Sequence, residues 1–251
     1  MIPVFLIPSF VFWTGGMYKD GFVFLFMMVV VWQFFQLLNK NDRKGTRILY
    51  LAVAFAGIFL LRNYIALLLL PSLLCWGLNM RWPRHAAWTF VIIYLIGSMA
   101  ILFGSQLHAG LDFPSFIAER QQAFLALPAN TKLPVPAIEP TAVGMIRYLP
   151  IAMRIGFAEP VLWDLPGLRY LVFSIELLFL LFLAALALYK RPQLTVNQHS
   201  YLFFALFFTA SVWLCLGYMA PITGAIVRYR VICLPILASA LMCTALIRQN
   251  K

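Results

Sequence analysis

The chain has 251 residues, of which 63% are hydrophobic and 11% are charged, and its formal net charge is +11. A soluble domain carries roughly 25% charged residues, so this composition excludes an ordinary soluble globular protein. Apolar runs of about 17–20 residues recur along the sequence, and each could cross the hydrocarbon core of a bilayer as a helix. We therefore predict an all-α, polytopic transmembrane helix bundle that forms a single integral membrane domain over residues 1–251.

Eight membrane spans are predicted in chain order, with ends accurate to a few residues. Their approximate bounds are 2–17, 21–38, 47–61, 64–79, 86–104, 168–189, 200–219 and 231–247. The first span is weak, because two prolines lie inside it and two glycines end it. It also lacks a preceding basic flank, which argues against a cleavable signal and leaves open a natural start upstream of Met1. The third and fourth spans are separated only by RNY at 62–64, so they form either a tight helical hairpin or one long broken helix.

Basic residues divide unequally between the two sides when the eight spans are threaded in order. The side that we predict to be cytoplasmic receives ten of them: Lys40, Arg43, Lys44, Arg47, Arg81, Arg84, Lys190, Arg191, Arg248 and Lys251. The short loops of the other side carry four: Lys19, Arg62, Arg228 and Arg230. Because Lys and Arg are enriched in cytoplasmic loops, both termini are predicted inside a plasma membrane, the inner membrane of a bacterium. This bias accounts for the positive charge without a nucleic-acid partner.

One long loop, about 105–167, is predicted on the extracytoplasmic side. Its segment 112–127 is expected to form an amphipathic helix in the membrane interface, with Phe113, Phe116, Ile117, Phe124 and Leu127 near one face and Glu119, Gln121 and Gln122 largely elsewhere. The proline-rich segment 129–140 should be extended. Segment 143–158 is apolar, but a proline and two arginines favour a re-entrant or surface-lying segment over a further span.

Two carboxylates stand out. Asp20 heads the second span beside Lys19, where it either caps the helix or acts as a general base or metal ligand toward a sugar hydroxyl. Glu176 lies about 12 Å into the sixth span at a helical rise of ~1.5 Å per residue, so it should face the bundle interior. Either it makes a helix-packing hydrogen bond or it serves catalysis or proton relay. Its partner could be a tyrosine, Arg62 or Arg228.

The arginines on the predicted extracytoplasmic side need an anionic partner. Arg228 and Arg230 flank Tyr229 just before the last span, Arg62 follows the third span, and Arg154 lies in the long loop. Lipid headgroups, a substrate phosphate or protein carboxylates could each compensate them. The four cysteines lie in apolar segments without a Cys/His cluster, so no metal site is predicted from them.

Four stretches resemble polytopic membrane proteins of bacterial surface-polysaccharide clusters, which are similar to GT-C glycosyltransferases. They are PSFVFWTGGMYKDGFVF (8–24), LRNY (61–64), MRIGFAEPVLWDLPGLRYLVFSIELLFLL (153–181) and VRYRVICLPIL (227–237). The resemblance touches about half of the chain. GT-C enzymes usually have more than eight spans and a catalytic acid in the first outer loop, so the resemblance also implies a fragment or shortened member.

The resemblance implies glycosyl transfer or glycan polymerisation at the extracytoplasmic face, with a polyprenyl-phosphate-linked saccharide as donor, a glycan as acceptor, and membrane lipids as surroundings. The catalytic candidates are Asp20 and Glu176. The candidates for substrate binding are Lys19, Arg62, Tyr64, Arg154, Arg228, Tyr229 and Arg230. A divalent metal is the one cofactor left open. The alternatives are a transporter or flippase of lipid-linked glycans and a non-catalytic membrane subunit.

Overall fold

A computed structural model of the chain describes residues 7–16, 18–39, 43–83, 86–161, 167, 170–190 and 193–246. Within these residues the fold is all-helical. The α-helices in chain order are α1 (Pro8–Thr14), α2 (Lys19–Asn39), α3 (Lys44–Leu61), α4 (Asn63–Arg81), α5 (Ala86–Leu107), α6 (Phe113–Ala126), α7 (Ala142–Met153), α8 (Leu171–Lys190), α9 (Val196–Met219), α10 (Thr223–Arg230) and α11 (Leu234–Leu246). One turn of π-helix, Arg154–Ala158, continues α7.

Six of these helices are long and apolar enough to cross a membrane, namely α2, α3, α4, α5, α8 and α9. The pair α10–α11, bent by 57° at a short break, adds a seventh if it is one broken span. The all-α fold predicted from the sequence is therefore confirmed, and the length and hydropathy of these helices fit a membrane protein. Six of the predicted spans coincide with these helices to within a few residues.

The first and last predicted spans differ from the helices at those places. The described part of 2–17 holds only the seven-residue helix α1, which begins at a proline; residues 1–6 and 17 lie outside the described residues. The last prediction, 231–247, begins at the break between α10 and α11. The described residues therefore do not form eight straight spans.

The third and fourth spans form a helical hairpin, with Arg62 as the single non-helical residue between α3 and α4. Helix α3 runs antiparallel to α2, since Arg47 donates to the carbonyl oxygen of Gln36 near the start of α3. Helix α4 runs parallel to α2, since Trp76 near its end packs on Phe34, with ring centroids 5.6 Å apart. The long broken helix is thereby excluded.

The bundle has two ends with different chemistry. We call the end where α2 begins and α3 ends the Asp20 end. At the opposite end Asn39 contacts Asn197, Asn79 contacts Ser200, and Lys190 donates to the carbonyl oxygen of Ala245. Those of the ten predicted cytoplasmic cations that the structure describes belong to helix ends at this opposite end: Arg43, Lys44, Arg47, Arg81 and Lys190.

The described part of the long connection between α5 and α8, mainly residues 108–161, forms a layer at the Asp20 end. Helix α6 begins after Asp112, whose side chain accepts the Ser115 backbone N–H at 3.2 Å. Gln121 is fully buried; it donates to the Tyr148 hydroxyl at 2.8 Å and accepts from the Ile138 backbone. Gln121 therefore lies on the face of α6 that packs into the protein, while Phe116 and Leu127 of the predicted apolar face are exposed.

The rest of this layer joins the bundle through close backbone contacts. Segment 129–133 is non-helical, as predicted for 129–140, and pairs with residues 221–223 through the Leu133 and Thr223 amides. Helix α7 has 12 residues and is not long enough for a span, in line with the prediction for 143–158. The α7 carbonyl of Ala152 lies against Gly217 of α9, where a Cβ would overlap it.

A large aromatic core holds α2, α4 and α9 together. Trp76 is its centre and contacts Phe34, Phe35, Tyr201 and Phe204, with ring centroids 4.9–6.3 Å apart. Such ring pairs add specific geometry to apolar burial. This core fixes the helix register that brings the starts of α2 and α4 and the end of α9 together at the Asp20 end.

Candidate functional site

Asp20 is the centre of the candidate site. It lies in the first turn of α2, and its side chain is fully buried. Arg62 donates through Nη2 to its Oδ1, and Arg228 donates through Nε to its Oδ2 at 2.8 Å. The helix α2 N-terminus adds a favourable partial positive charge. The carboxylate thus joins the α3–α4 turn to α10 through two charge-assisted hydrogen bonds.

Arg62 contacts two tyrosines in addition to Asp20. Its Nη1 donates to the Tyr64 hydroxyl at 2.8 Å, and its guanidinium carbon lies 4.2 Å from the ring centroid of Tyr229. Burial alone lowers the pKa of Arg62, but the Tyr64 and Asp20 side chains outweigh it and raise the pKa above its ordinary value. Arg62 is therefore a fixed, charged group of the framework.

Arg228 differs from Arg62 in that its side chain is 29% exposed. Its Nε is used by Asp20, and its guanidinium carbon lies 5.0 Å from the Tyr18 ring and 5.3 Å from the Trp13 ring. No hydrogen-bond partner of its two Nη groups is found in the described part of the chain. These donors are therefore free to take an anion.

The Asp20 end has two larger cavities, and the first of them lies beside Arg228. This apolar cavity has a volume of about 750 Å³ and is formed by α1, the start of α8 and α10. Its lining residues are mainly hydrophobic: Pro8, Ser9, Phe12, Trp13, Tyr170, Val172, Phe173, Gly224, Ala225, Val227, Arg228 and Tyr229. A mostly apolar wall with one cation suits an amphiphile with an anionic head.

The second cavity, which we call the charged cleft, lies on the Arg62 side and has a volume of about 440 Å³. It runs between α4, α6 and the end of α9. Its charged lining residues are Lys19, Arg62, Asp112 and Arg120, and its rings include Tyr64, Phe113, Phe116, Phe124 and Tyr229. Tyr229 lines both cavities, so the two lie on either side of the Asp20–arginine cluster.

Arg230 is directed away from both cavities and into the protein. It is buried, and its two Nη groups donate to the backbone carbonyls of Ile155, Gly156 and Glu159 at the end of the π-helical turn. These contacts satisfy carbonyls that a helix end leaves without partners. Both Nη groups of Arg230 are therefore occupied by backbone carbonyls. The predicted contact of Arg230 with a substrate has no Nη group left to make it.

Glu176 is separate from the two larger cavities. Its Oε1 accepts the Ser9 backbone N–H at 2.7 Å, so neither Arg62 nor Arg228 is its partner. It lines a third, small cavity of about 20 Å³ together with Ser9 and Arg230. The Arg230 Nε is buried there with no hydrogen-bond partner among the described residues. The volume and these polar residues suit one bound water molecule.

The remaining predicted residues fall into two groups. Lys19, Tyr64 and Tyr229 line the charged cleft beside Arg62. Arg154 is exposed at the start of the π-helical turn and lines neither cavity. Arg120 is absent from the residues predicted for the site, although it lines the cleft. Its signal in the sequence is a cation within the apolar face of the predicted 112–127 helix, four residues from both Phe116 and Phe124.

A divalent metal does not fit the cluster. Both Asp20 oxygens accept hydrogen bonds from guanidinium groups, whose positive charge opposes a nearby cation. Among the described residues, no group of three His, Cys, Asp or Glu side chains is placed to hold a metal ion. We therefore assign no step of chemistry to a metal.

No family model, curated protein or solved structure matches this chain. Its function is therefore inferred from the residues around Asp20 and from the two cavities beside them.

Proposed function

We propose that this membrane protein transfers or polymerises glycans from polyprenyl-phosphate-linked saccharides. The observation that carries the proposal is the placement of Arg228, whose free Nη donors lie at an apolar cavity of about 750 Å³. A lipid phosphate needs one strong cation next to a hydrocarbon-lined space, and this place supplies both.

The Asp20 end is assigned to the extracytoplasmic side of a bacterial inner membrane, with the C-terminus cytoplasmic. Supporting this assignment, the described basic residues at the opposite end fit the usual enrichment of Lys and Arg in cytoplasmic loops. A reporter that is active only outside the cytoplasm, inserted at 129–131, should be active. The same reporter inserted at 193–195 should be inactive, and the reverse pattern would overturn the orientation.

In the transfer step, an acceptor hydroxyl oxygen attacks the anomeric carbon of the donor sugar. The bond from that carbon to the phosphate oxygen breaks, and the polyprenyl phosphate leaves with the electron pair. Arg228 stabilises the charge that develops on the leaving phosphate. The acceptor hydroxyl proton passes to an oxygen of the leaving phosphate, which as a monoester has a second pKa of about 6. Asp20 orients Arg228, since both of its oxygens are bonded to guanidinium groups.

The non-catalytic subunit has one observation in its favour, which is the full burial of Asp20 with both oxygens occupied. Such a subunit would bind the lipid phosphate without breaking the glycosidic bond. A measurement of binding and a measurement of transfer separate the two functions.

The binding experiment uses the full chain in lipid nanodiscs with radiolabelled polyprenyl phosphate, and with the uncharged polyprenol as reference. We expect Arg228→Gln to weaken polyprenyl phosphate binding at least about tenfold, because a charge-assisted hydrogen bond is lost. Polyprenol binding should stay the same. The matched control is Arg147→Gln, since Arg147 is exposed on α7 and lines neither cavity.

Equal binding of the phosphate and the alcohol to the unmodified chain would overturn the proposal. Transfer is measured in the same nanodiscs as release of polyprenyl phosphate from a labelled saccharide donor in the presence of a membrane glycan extract. Tight binding of polyprenyl phosphate without any release of it from the saccharide donor would favour the non-catalytic subunit instead.

A further inference from the structure

The charged cleft is lined by more cations than acidic residues, namely Lys19, Arg62 and Arg120 against Asp112. Lys19 enters it from the start of α2 and Arg120 from α6, and both residues are exposed. Neither forms an ion pair with a carboxylate in the described part of the chain. The cleft therefore presents two uncompensated cations from different helices.

The acidic residue of the cleft, Asp112, forms no ion pair with Lys19 or Arg120 in the described part of the chain. The side chain of Asp112 accepts the Ser115 backbone N–H and thus caps helix α6. Arg62, the third cation of the cleft, is already paired with Asp20. A ligand that enters the cleft consequently meets Lys19 and Arg120 as the groups available for a negative charge.

Aromatic rings shape the rest of the cleft. The Arg120 guanidinium carbon lies 5.0 Å from the Phe116 ring centroid, which orients this cation along the wall. Phe124 meets Tyr229 edge to face at 6.4 Å, and Tyr64 lies beside them in the lining. Rings with polar edges favour flat, hydroxyl-rich ligands, because apolar faces and a few polar groups together fix the ligand's orientation.

We propose that the charged cleft binds an acidic saccharide, that is, a sugar residue bearing a carboxylate or an ester-linked anionic group, through Lys19 and Arg120. This inference rests on the proposed function, in which a glycan is donor or acceptor, and adds that this glycan carries negative charge. It distinguishes the cleft from the apolar cavity, which takes the lipid phosphate on the opposite side of the Asp20–arginine cluster.

The test measures binding to the full chain in nanodiscs with two probes of equal length, trigalacturonate and the neutral maltotriose. We expect trigalacturonate to bind at least about tenfold more tightly, the size of a charge-assisted contact. This preference should shrink as salt is raised, because the cations are exposed. The double variant Lys19→Gln/Arg120→Gln should bind both probes alike, while Arg147→Gln should keep the preference.

Three outcomes would overturn the inference: equal binding of both probes, no binding of either, or a preference that survives in the double variant. The single variant Arg120→Gln is measured in case the double variant does not fold, because Arg120 is exposed and lies away from the buried Asp20. This single variant should lower the preference for trigalacturonate at least about threefold. Polyprenyl phosphate binding is measured on the same samples. Its retention alongside a failed saccharide test would overturn this inference and leave the proposed function standing.

Discussion

Arg228 lies 208 positions after Asp20 in the sequence, yet its Nε donates to Asp20 Oδ2 at 2.8 Å. Arg62, which follows Asp20 by 42 positions, donates to the other oxygen. One carboxylate therefore binds two guanidinium groups, which leaves one positive charge in excess, and it joins α2 to both the α3–α4 turn and α10. Both the stability of the Asp20 end and the position of Arg228 depend on this junction.

Replacing Asp20 by Asn should lower the free energy of unfolding by about 3 kcal/mol, because the change leaves buried Arg62 without a counter-charge. The measurement is the unfolding midpoint of the purified protein in detergent. Asp112→Asn is the matched control, since Asn also caps helices well and should cost little.

The double variant Asp20→Asn/Arg228→Gln extends this prediction. It should lose less stability than the sum of its two single variants, because the two side chains share one interaction. Strict additivity would show that the Asp20–Arg228 contact contributes nothing measurable.

Replacing Arg230 by Lys should destabilise the protein by about 2–3 kcal/mol. The planar guanidinium reaches three backbone carbonyls at once, whereas a single ammonium on a different stem cannot reproduce that fork. Arg147→Lys on the exposed face of α7 is the control. Unfolding in detergent measures the difference, and an unchanged midpoint for Arg230→Lys would contradict the role assigned to its contacts.

Replacing Glu176 by Gln should leave stability within about 0.5 kcal/mol, because the amide oxygen can still accept the Ser9 backbone N–H. Glu176→Leu removes that acceptor and should cost about 1–3 kcal/mol, as expected for an unsatisfied buried donor. In both variants, the rate of glycosyl transfer should fall only as far as the stability of the fold falls. A hundredfold loss of transfer in Glu176→Gln at an unchanged unfolding midpoint would instead make Glu176 a catalytic residue.

Replacing Gly217 by Ala should destabilise the contact between α9 and α7 by about 1–3 kcal/mol, because the new Cβ overlaps the Ala152 carbonyl. Gly97→Ala is a matched control on α5, where a Cβ meets no atom within 4 Å. That control should be neutral or slightly stabilising, since Ala is the better helix former. Similar unfolding midpoints for the two variants would show that α9 can move away from α7 at no cost.

Much of the helix layout could be predicted from hydropathy, because an apolar run of about 17–20 residues in a membrane has few structures other than a helix. The prediction failed where local chemistry breaks that rule. Pro8 starts a short helix where a span was expected, and the last span bends at 231–233. Length and hydropathy carry no information on such bends.

The sequence alone also indicates that Asp20 is unusual, but it does not indicate which side chains bind Asp20. Ion pairing between α2 and α10 depends on which helices pack together, and no local pattern encodes that choice. Gln121 illustrates the same limit. Its predicted place away from the apolar face gives no sign of its burial, in which the Tyr148 hydroxyl and the Ile138 amide satisfy its side chain. Arg120 was missed because a cation on an amphipathic helix is ordinarily just a solvated group.

The chain order of the Asp20 cluster has a consequence for biosynthesis. Asp20 and Arg62 precede Arg228 in the chain and can pair as soon as the α3–α4 hairpin forms, before Arg228 is synthesised. At synthesis rates of ~5–20 residues per second, Arg228 emerges roughly ten seconds or more after Arg62. During that interval the carboxylate carries one guanidinium partner. Arrival of α10 is thus the event that completes the site and closes the bundle, so a nascent chain stalled before Arg228 would hold neither the apolar cavity nor its cation.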